Sequence, residues 1–187
     1  MGKTLHSCGV KIYPLAVVFL LAFVGPVYSA EPEVDFANPE TVARVFYSEL
    51  RRLGVSGLPT ETVWEKLKPF CSESLGTALE RAVKEQADFI RNNPDEKPPW
   101  IEGDLFSSLF EGPRQFQVGM PNVAGVNAEV PVDCSHTEGG DTVKWTDTLL
   151  LMNVEGRWLI DDVRYGGEWD FANSGTLKEA LEPEEEE

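Results

Sequence analysis

Three aspartates carry most of the chemistry that this sequence could support. Asp161 and Asp162 lie in Trp158-Leu159-Ile160-Asp161-Asp162-Val163-Arg164-Tyr165, and Asp104 follows Gly103 in a proline-rich stretch. Adjacent residues on a strand point to opposite faces, so Asp161 and Asp162 cannot act together as a carboxylate dyad. Leu159, Asp161, Val163 and Tyr165 share one face; Trp158, Ile160, Asp162 and Arg164 share the other. A carboxyl between Leu159 and Val163 would be desolvated and its pKa raised, as a general base working near neutrality requires. The competing reading is a strand acid hydrogen-bonded to a hydroxyl or a helix terminus. Asp104 could reach the same cavity with Trp100 as its apolar wall, or it could cap a short turn over Leu105 to Phe110. Tyr165 or Tyr47 would stabilise a developing oxyanion. The candidate catalytic residues are thus Asp161 and Asp104, and the candidate ligand-binding set is Tyr47, Trp100, Asp104, Asp161 and Tyr165.

The run Asp133-Cys134-Ser135-His136-Thr137-Glu138 gathers metal-ligating residue types. A zinc site needs three or four converging ligands, and the glycine-rich connection that follows would scatter these, so no metal and no cofactor are expected. Cys134 and His136 are too close in sequence for a third group to orient them as a nucleophile pair. No Gly-x-Ser-x-Gly, Walker loop, dinucleotide fingerprint or His-Glu-x-x-His is present, so hydrolysis, phosphoryl transfer and hydride transfer lack their usual signatures.

The elements that must position these residues follow a leader. Residues 1–29 carry only Lys3 and Lys11 as formal side-chain charges, then a ten-residue apolar run from Leu15 to Val24, Gly25-Pro26 and small residues to Ala30. This reads as a cleavable secretory signal cut after Ser29; the alternative of a membrane anchor is disfavoured because ten residues fall short of the ~20 that span hydrocarbon. Leu5-His6-Ser7-Cys8 superficially resembles a lipobox, but no apolar stretch precedes Cys8. Export to the periplasm or beyond leaves Cys71 and Cys134 in an oxidising compartment, either bridged or as two buried thiols. No transmembrane segment would follow cleavage.

Of 187 residues, 42% are hydrophobic and 26% charged, ordinary values for one globular domain. The 16 basic and 32 acidic residues give a net charge of −16. Losing Lys3 and Lys11 with the leader leaves 14 basic residues and a charge of −18. Such a surface repels nucleic acid.

After a lead over 30–37, Asn38-Pro39-Glu40 opens a helix whose Val42, Val45, Phe46, Leu50 and Leu53 recur at helical spacing up to Gly54. Pro59-Thr60-Glu61 starts a second, which Pro69 stops. A third begins near Ser72 or Ser74 and holds its period through Leu75, Leu79, Ala82, Val83, Phe89 and Ile90. A connection containing Pro94, Pro98, Pro99 and Pro113 leads to four β-rich runs: Gln115 to Met120, Val126 to Cys134, Val143 to Asn153 and Arg157 to Tyr165. Residues 168–187 read as an acidic, solvated tail. The fold class is therefore α+β, three N-terminal helices packed on an antiparallel four-stranded sheet.

This order of elements, with the strand Trp158 to Tyr165, resembles the nuclear transport factor 2-like superfamily over residues 38–167. Ile101-Glu102-Gly103-Asp104-Leu105-Phe106 and that strand are similar to an uncharacterised family of exported bacterial domains within it, often lipoproteins. The resemblance implies a cone, with a curved sheet wrapped over the helices around a pocket that relatives use for isomerisation, dehydration, ligand binding or homodimer contacts. The expected function is an exported cell-envelope binding domain that engages a small molecule or envelope protein without catalysis. Two alternatives are a cofactor-free isomerase or dehydratase and an inhibitor or immunity protein of a basic envelope enzyme, whose encounter the negative charge would steer.

Overall fold

A computed structural model describes Gly2 and residues 34–182. The expected signal segment, Cys8 and the four final glutamates lie outside the described residues. Helix α1 spans Pro39–Leu53, with the Asn38 side chain accepting from Thr41 N at its start and Gly54 at φ 61° closing it. It buries Val42, Ala43, Phe46, Tyr47 and Leu50. Helix α2 spans Glu61–Leu67, and a short 3₁₀ turn over Lys68–Phe70 leads to Cys71. Helix α3 spans Glu73–Asn92 and is capped by Ser72, whose Oγ accepts from Leu75 N at 3.1 Å.

The sheet has five antiparallel strands: β1 Gln115–Val118, β2 Asn122–Ala124, β3 Asn127–Glu138, β4 Asp141–Val154 and β5 Arg157–Arg164. Its order is β1-β3-β4-β5, with β2 also pairing with β3. The count corrects the expected four. Gly119-Met120-Pro121 interrupts the outer strand, because Pro121 has no amide donor, and pairing resumes as β2 further along β3. The β3–β4 and β4–β5 connections are two-residue turns with positive φ at Gly139 and Gly140 and at Glu155 and Gly156. The connection before β1 holds turns and no helix over Leu105 to Phe110.

The outer edge of β5 is covered along its length. Trp158 N donates to Phe36 O, Ser72 N donates to Ile160 O, and Tyr165 N donates to Gly175 O. A short helix α4, Leu177–Ala180, follows, with Thr176 and Glu179 forming a capping box. Leu177 and Leu181 are fully buried and Trp169 packs edge-on against Trp145, so the folded unit extends past residue 167 at one end and includes Phe36 at the other. Only the first half of α3 reaches the core: Leu75, Gly76, Ala78, Leu79 and Ala82 are buried, whereas Val83 and Ile90 are 44% and 47% exposed.

Of the two states expected for Cys71 and Cys134, a bridge or two buried thiols, the structure shows the second: both are free and buried. Cys71 lies beside Ile160 outside β5, and Ile160 is level with Leu151 on β4 and Ala128 on β3. Three strand spacings, about 14 Å, and six residues along β3, about 20 Å, therefore separate it from Cys134, far beyond bridging reach. Burial pushes the Cys71 thiol up to about 12 and raises Cys134 still further. Iodoacetamide should accordingly modify both cysteines at least ~10-fold more slowly in the folded protein than in guanidinium, with no reductant needed for labelling once unfolded. Peptide mapping by mass spectrometry reads the result.

Candidate functional site

The centre of the structure is a carboxylate that inspection of motifs does not single out. Asp147 projects from β4 into the core with no exposed surface. Its Oδ2 accepts from Ser107 Oγ at 3.1 Å, Ser108 N at 3.0 Å and Trp145 Nε1 at 2.8 Å. Its Oδ1 accepts from Ser108 Oγ and from Gly166 N. Ser108 Oγ in turn accepts from Gly166 N and Gly167 N, both at 2.9 Å. These contacts tie the connection before β1, the middle of β4 and the chain leaving β5 into one knot. The glycines permit the close approach: a Cβ at Gly166 would strike Thr146 O, and one at Gly167 would lie 2.8 Å from Ser108 Cβ. The sequence does hold a signal for this residue. Trp145, Asp147, Leu149 and Leu151 share one parity, so the aspartate is in phase with the buried face of β4.

Asp104 lies close to that knot. Its amide donates to Phe110 O at 2.7 Å and its Oδ1 accepts from Phe106 N at 2.8 Å, so it caps the turn that carries Ser107 and Ser108. Burial pushes its carboxyl up to about 7; the Phe106 N–H opposes the rise and the Asp147 charge adds to it. Asp104 and Tyr47 line a cleft of about 190 Å³ together with Leu50, Arg51, Val55 and Glu111. Tyr47 is buried and donates to Phe106 O at 3.1 Å; Tyr165, also buried, donates to Leu105 O at 2.6 Å. Both phenols titrate well above their ordinary value, chiefly through burial, with the Asp104 and Asp147 charges adding to the rise.

Tyr47 and Asp104 thus meet in one cleft, and Tyr165 holds the same turn from the sheet. The structure does not bring Asp161 and Trp100 to the cleft lining. In the β4–β5 ladder Leu150 opposes Asp162 and Leu151 opposes Ile160, so Asp161 is the extra residue of a β-bulge. The bulge resets the alternation: Trp158 and Ile160 before it and Val163 and Tyr165 after it are all buried. The expected face with Asp161 between Leu159 and Val163 therefore does not exist. Asp161 instead accepts from Ser72 Oγ at 2.7 Å and from Lys178 Nζ at 2.9 Å, fastening the start of α3 and α4 to β5. Asp162 is buried and accepts from Lys178 N. Trp100 sits against α4, its Nε1 donating to Ala180 O.

His136 faces the same side of β3 as Cys134. Its Nδ1 is 2.8 Å from Gly112 O, and its Nε2 accepts from Arg114 Nε at 3.4 Å. Among the described residues no group of three or more His, Cys, Asp or Glu side chains is placed to hold a metal, and no helix is long and apolar enough to cross a membrane.

Comparison with known proteins assigns the chain to a family of bacterial proteins that includes a lipoprotein, which is consistent with a place in the cell envelope. That relative is the uncharacterized lipoprotein YbjP of Escherichia coli (strain K12), 32% identical over 149 residues that cover 78% of this chain and 76% of the relative; the chain belongs to its family. No family model matches the chain, and no solved structure matches it.

Two substitutions separate the roles of the buried acids. Asp147→Ala strands donors from Ser107, Ser108, Trp145 and Gly166, and should lower stability by ~3–5 kcal/mol in urea unfolding. Asp104→Asn should act in the opposite sense and only at higher pH. The folded protein keeps the Asp104 proton up to about 7, whereas its ordinary value is 3.8. The native state therefore binds more protons across that window, and this group's contribution to stability falls as pH rises through it and levels off above. The asparagine variant escapes that loss, so it should match the wild type near pH 4 and exceed it by ~1–3 kcal/mol at pH 8.

Proposed function

We propose that this chain is an exported cell-envelope binding domain of the nuclear transport factor 2-like cone class, and that the Asp104 cleft receives a small polar ligand. The observation that carries this reading is the composition of that cleft: Leu50 and Val55 supply apolar wall, Arg51 and Glu111 supply charges of both signs at the mouth, and Asp104 stands within. A concave surface on which charged groups of both signs converge beside apolar walls can hold and orient a small polar ligand. Helices that precede an antiparallel sheet, together with kinship to a lipoprotein, support the cone and the envelope address. Residues 1–29 act in this reading as the export signal.

Binding without chemistry is favoured because the groups that a proton-transfer mechanism would recruit are committed within the protein. Asp161 is held by Ser72 and Lys178, and the Tyr47 and Tyr165 hydroxyls donate to backbone carbonyls. One observation speaks for the alternative of a cofactor-free isomerase or dehydratase, namely that the Asp104 carboxyl is poised near neutrality.

Native mass spectrometry of the protein released from its own host's envelope tests the reading. A small adduct is expected, and its occupancy should fall at least ~10-fold in Arg51→Ala and Asp104→Ala variants. An adduct retained in both variants, or a co-purifying protein with no small adduct, overturns it. Conversion of the identified compound, lost in Asp104→Asn, would replace binding by the catalytic alternative.

A further inference from the structure

The second half of α3 leaves the core, yet its apolar residues continue. Val83, Ala87 and Ile90 recur at helical spacing, all exposed, in line with buried Leu79. Beside them Pro59 ahead of α2, Glu61 and Trp64 from α2, and Leu79, Glu80 and Val83 from α3 enclose an apolar groove of about 340 Å³. The Trp64 indole N–H at this groove is buried and has no hydrogen-bond partner. A sequence that spends apolar residues on a helix face and then leaves that face bare has a second surface to cover.

We infer that a second copy of this chain covers it, the two α3 helices packing antiparallel so that Ile90 of each enters the Trp64 groove of the other. Charge decides for self-pairing over another partner. Glu80, Lys84 and Arg91 lie on one flank of the exposed stripe. An antiparallel pair centred between Glu85 and Gln86 sets Arg91 of one copy level with Glu80 of the other, twice by symmetry. The same register sets Ile90 level with Arg81, which is between Leu79 and Val83, the two apolar α3 residues that line the groove. Each Lys84 falls level with Ala87 of the second copy, which leaves the two lysines about 4.5 Å apart along the axis, and their long exposed side chains can diverge into solvent. Among the described residues of one copy, Arg91 pairs with half-exposed Asp88 and Glu80 with exposed Lys68, both surface contacts that can exchange at little cost. The groove, the knob and the charges are thus complementary to themselves, which is the requirement of a two-fold interface.

The contact is a single pair of half-helices, so a dimer dissociating in the range of ~1–100 µM is expected. Sedimentation equilibrium of the exported protein over that range reads it. Ile90→Asp changes a half-exposed side chain outside the core, and should raise the dissociation constant at least ~10-fold with an unchanged unfolding midpoint. Glu80→Arg and Arg91→Glu should each weaken pairing ~3-fold or more, and the double variant should recover most of the loss. A wild type that stays monomeric at ~100 µM overturns the inference, whether alone or carrying a different protein. So does a dimer that survives Ile90→Asp, since it must use another face. Neither result touches the Asp104 cleft, which is read by its own adduct.

Discussion

A carboxyl group with no contact to water must find hydrogen-bond partners within the protein, and the fold around β4 is arranged by that requirement. Asp147 meets it with two serine hydroxyls, two backbone amides and an indole N–H. None of these donors is local except Trp145. Satisfying the carboxylate therefore draws residues 107–108 and 166–167 onto the middle of the sheet and fixes the path of a proline-rich connection that has no regular structure of its own. The loop that carries Asp104 is ordered as a consequence, for its turn is continuous with Ser107 and Ser108.

Two acids only a short distance apart in this knot are handled differently. Asp147 accepts from five donors, whereas Asp104 has a single amide donor; burial, with the Asp147 charge adding to it, pushes the Asp104 carboxyl up to about 7. The cleft inherits from this a carboxyl whose charge is set by modest changes in surroundings. Elsewhere the same principle acts at the sheet edge. The exposed ladder of β5 is closed by three segments from distant parts of the chain, and Asp161 and Asp162 hold two of them by accepting from Ser72, Lys178 Nζ and Lys178 N. The opposite edge is left as two short strands broken at Pro121, which makes it a poor template for pairing.

Much of the helical and strand pattern was legible from local signals. Asn38-Pro39-Glu40 and Gly54 bound α1, Ser72 begins α3, and Glu155-Gly156 joins the last two strands, each through a backbone preference that acts within a few residues. Of the cleft, Asp104 and Tyr47 were legible as residue types in suggestive settings. Arg51 and Glu111 were not, because nothing local distinguishes them from other surface charges. Asp147 was legible in principle through its parity with Trp145 and Leu149, yet its partners were not, since Ser107-Ser108 and Gly166-Gly167 are ordinary loop residues until the fold brings them to it.

The failures have a common cause in register. Alternation along Trp158 to Tyr165 predicts one face for Asp161, but a single extra residue in the ladder moves it to the rim and returns Val163 and Tyr165 to the core. Cys71 and Cys134 are a reasonable pair by number and compartment, and strand order sets them far apart. Val83 and Ile90 keep the period of a buried helix, and the length of α3 relative to the sheet leaves them outside. Sequence by itself determined where the first three helices begin, roughly where the long strands run, and the sign of the surface charge, because caps, turns and hydrophobic period are short-range properties. Which side chains share a cleft, which acid is bonded and which is left poised, and which apolar face stays bare were decided by tertiary structure alone, because each depends on strand order, a bulge or a long-range hydrogen bond that no neighbouring residue encodes.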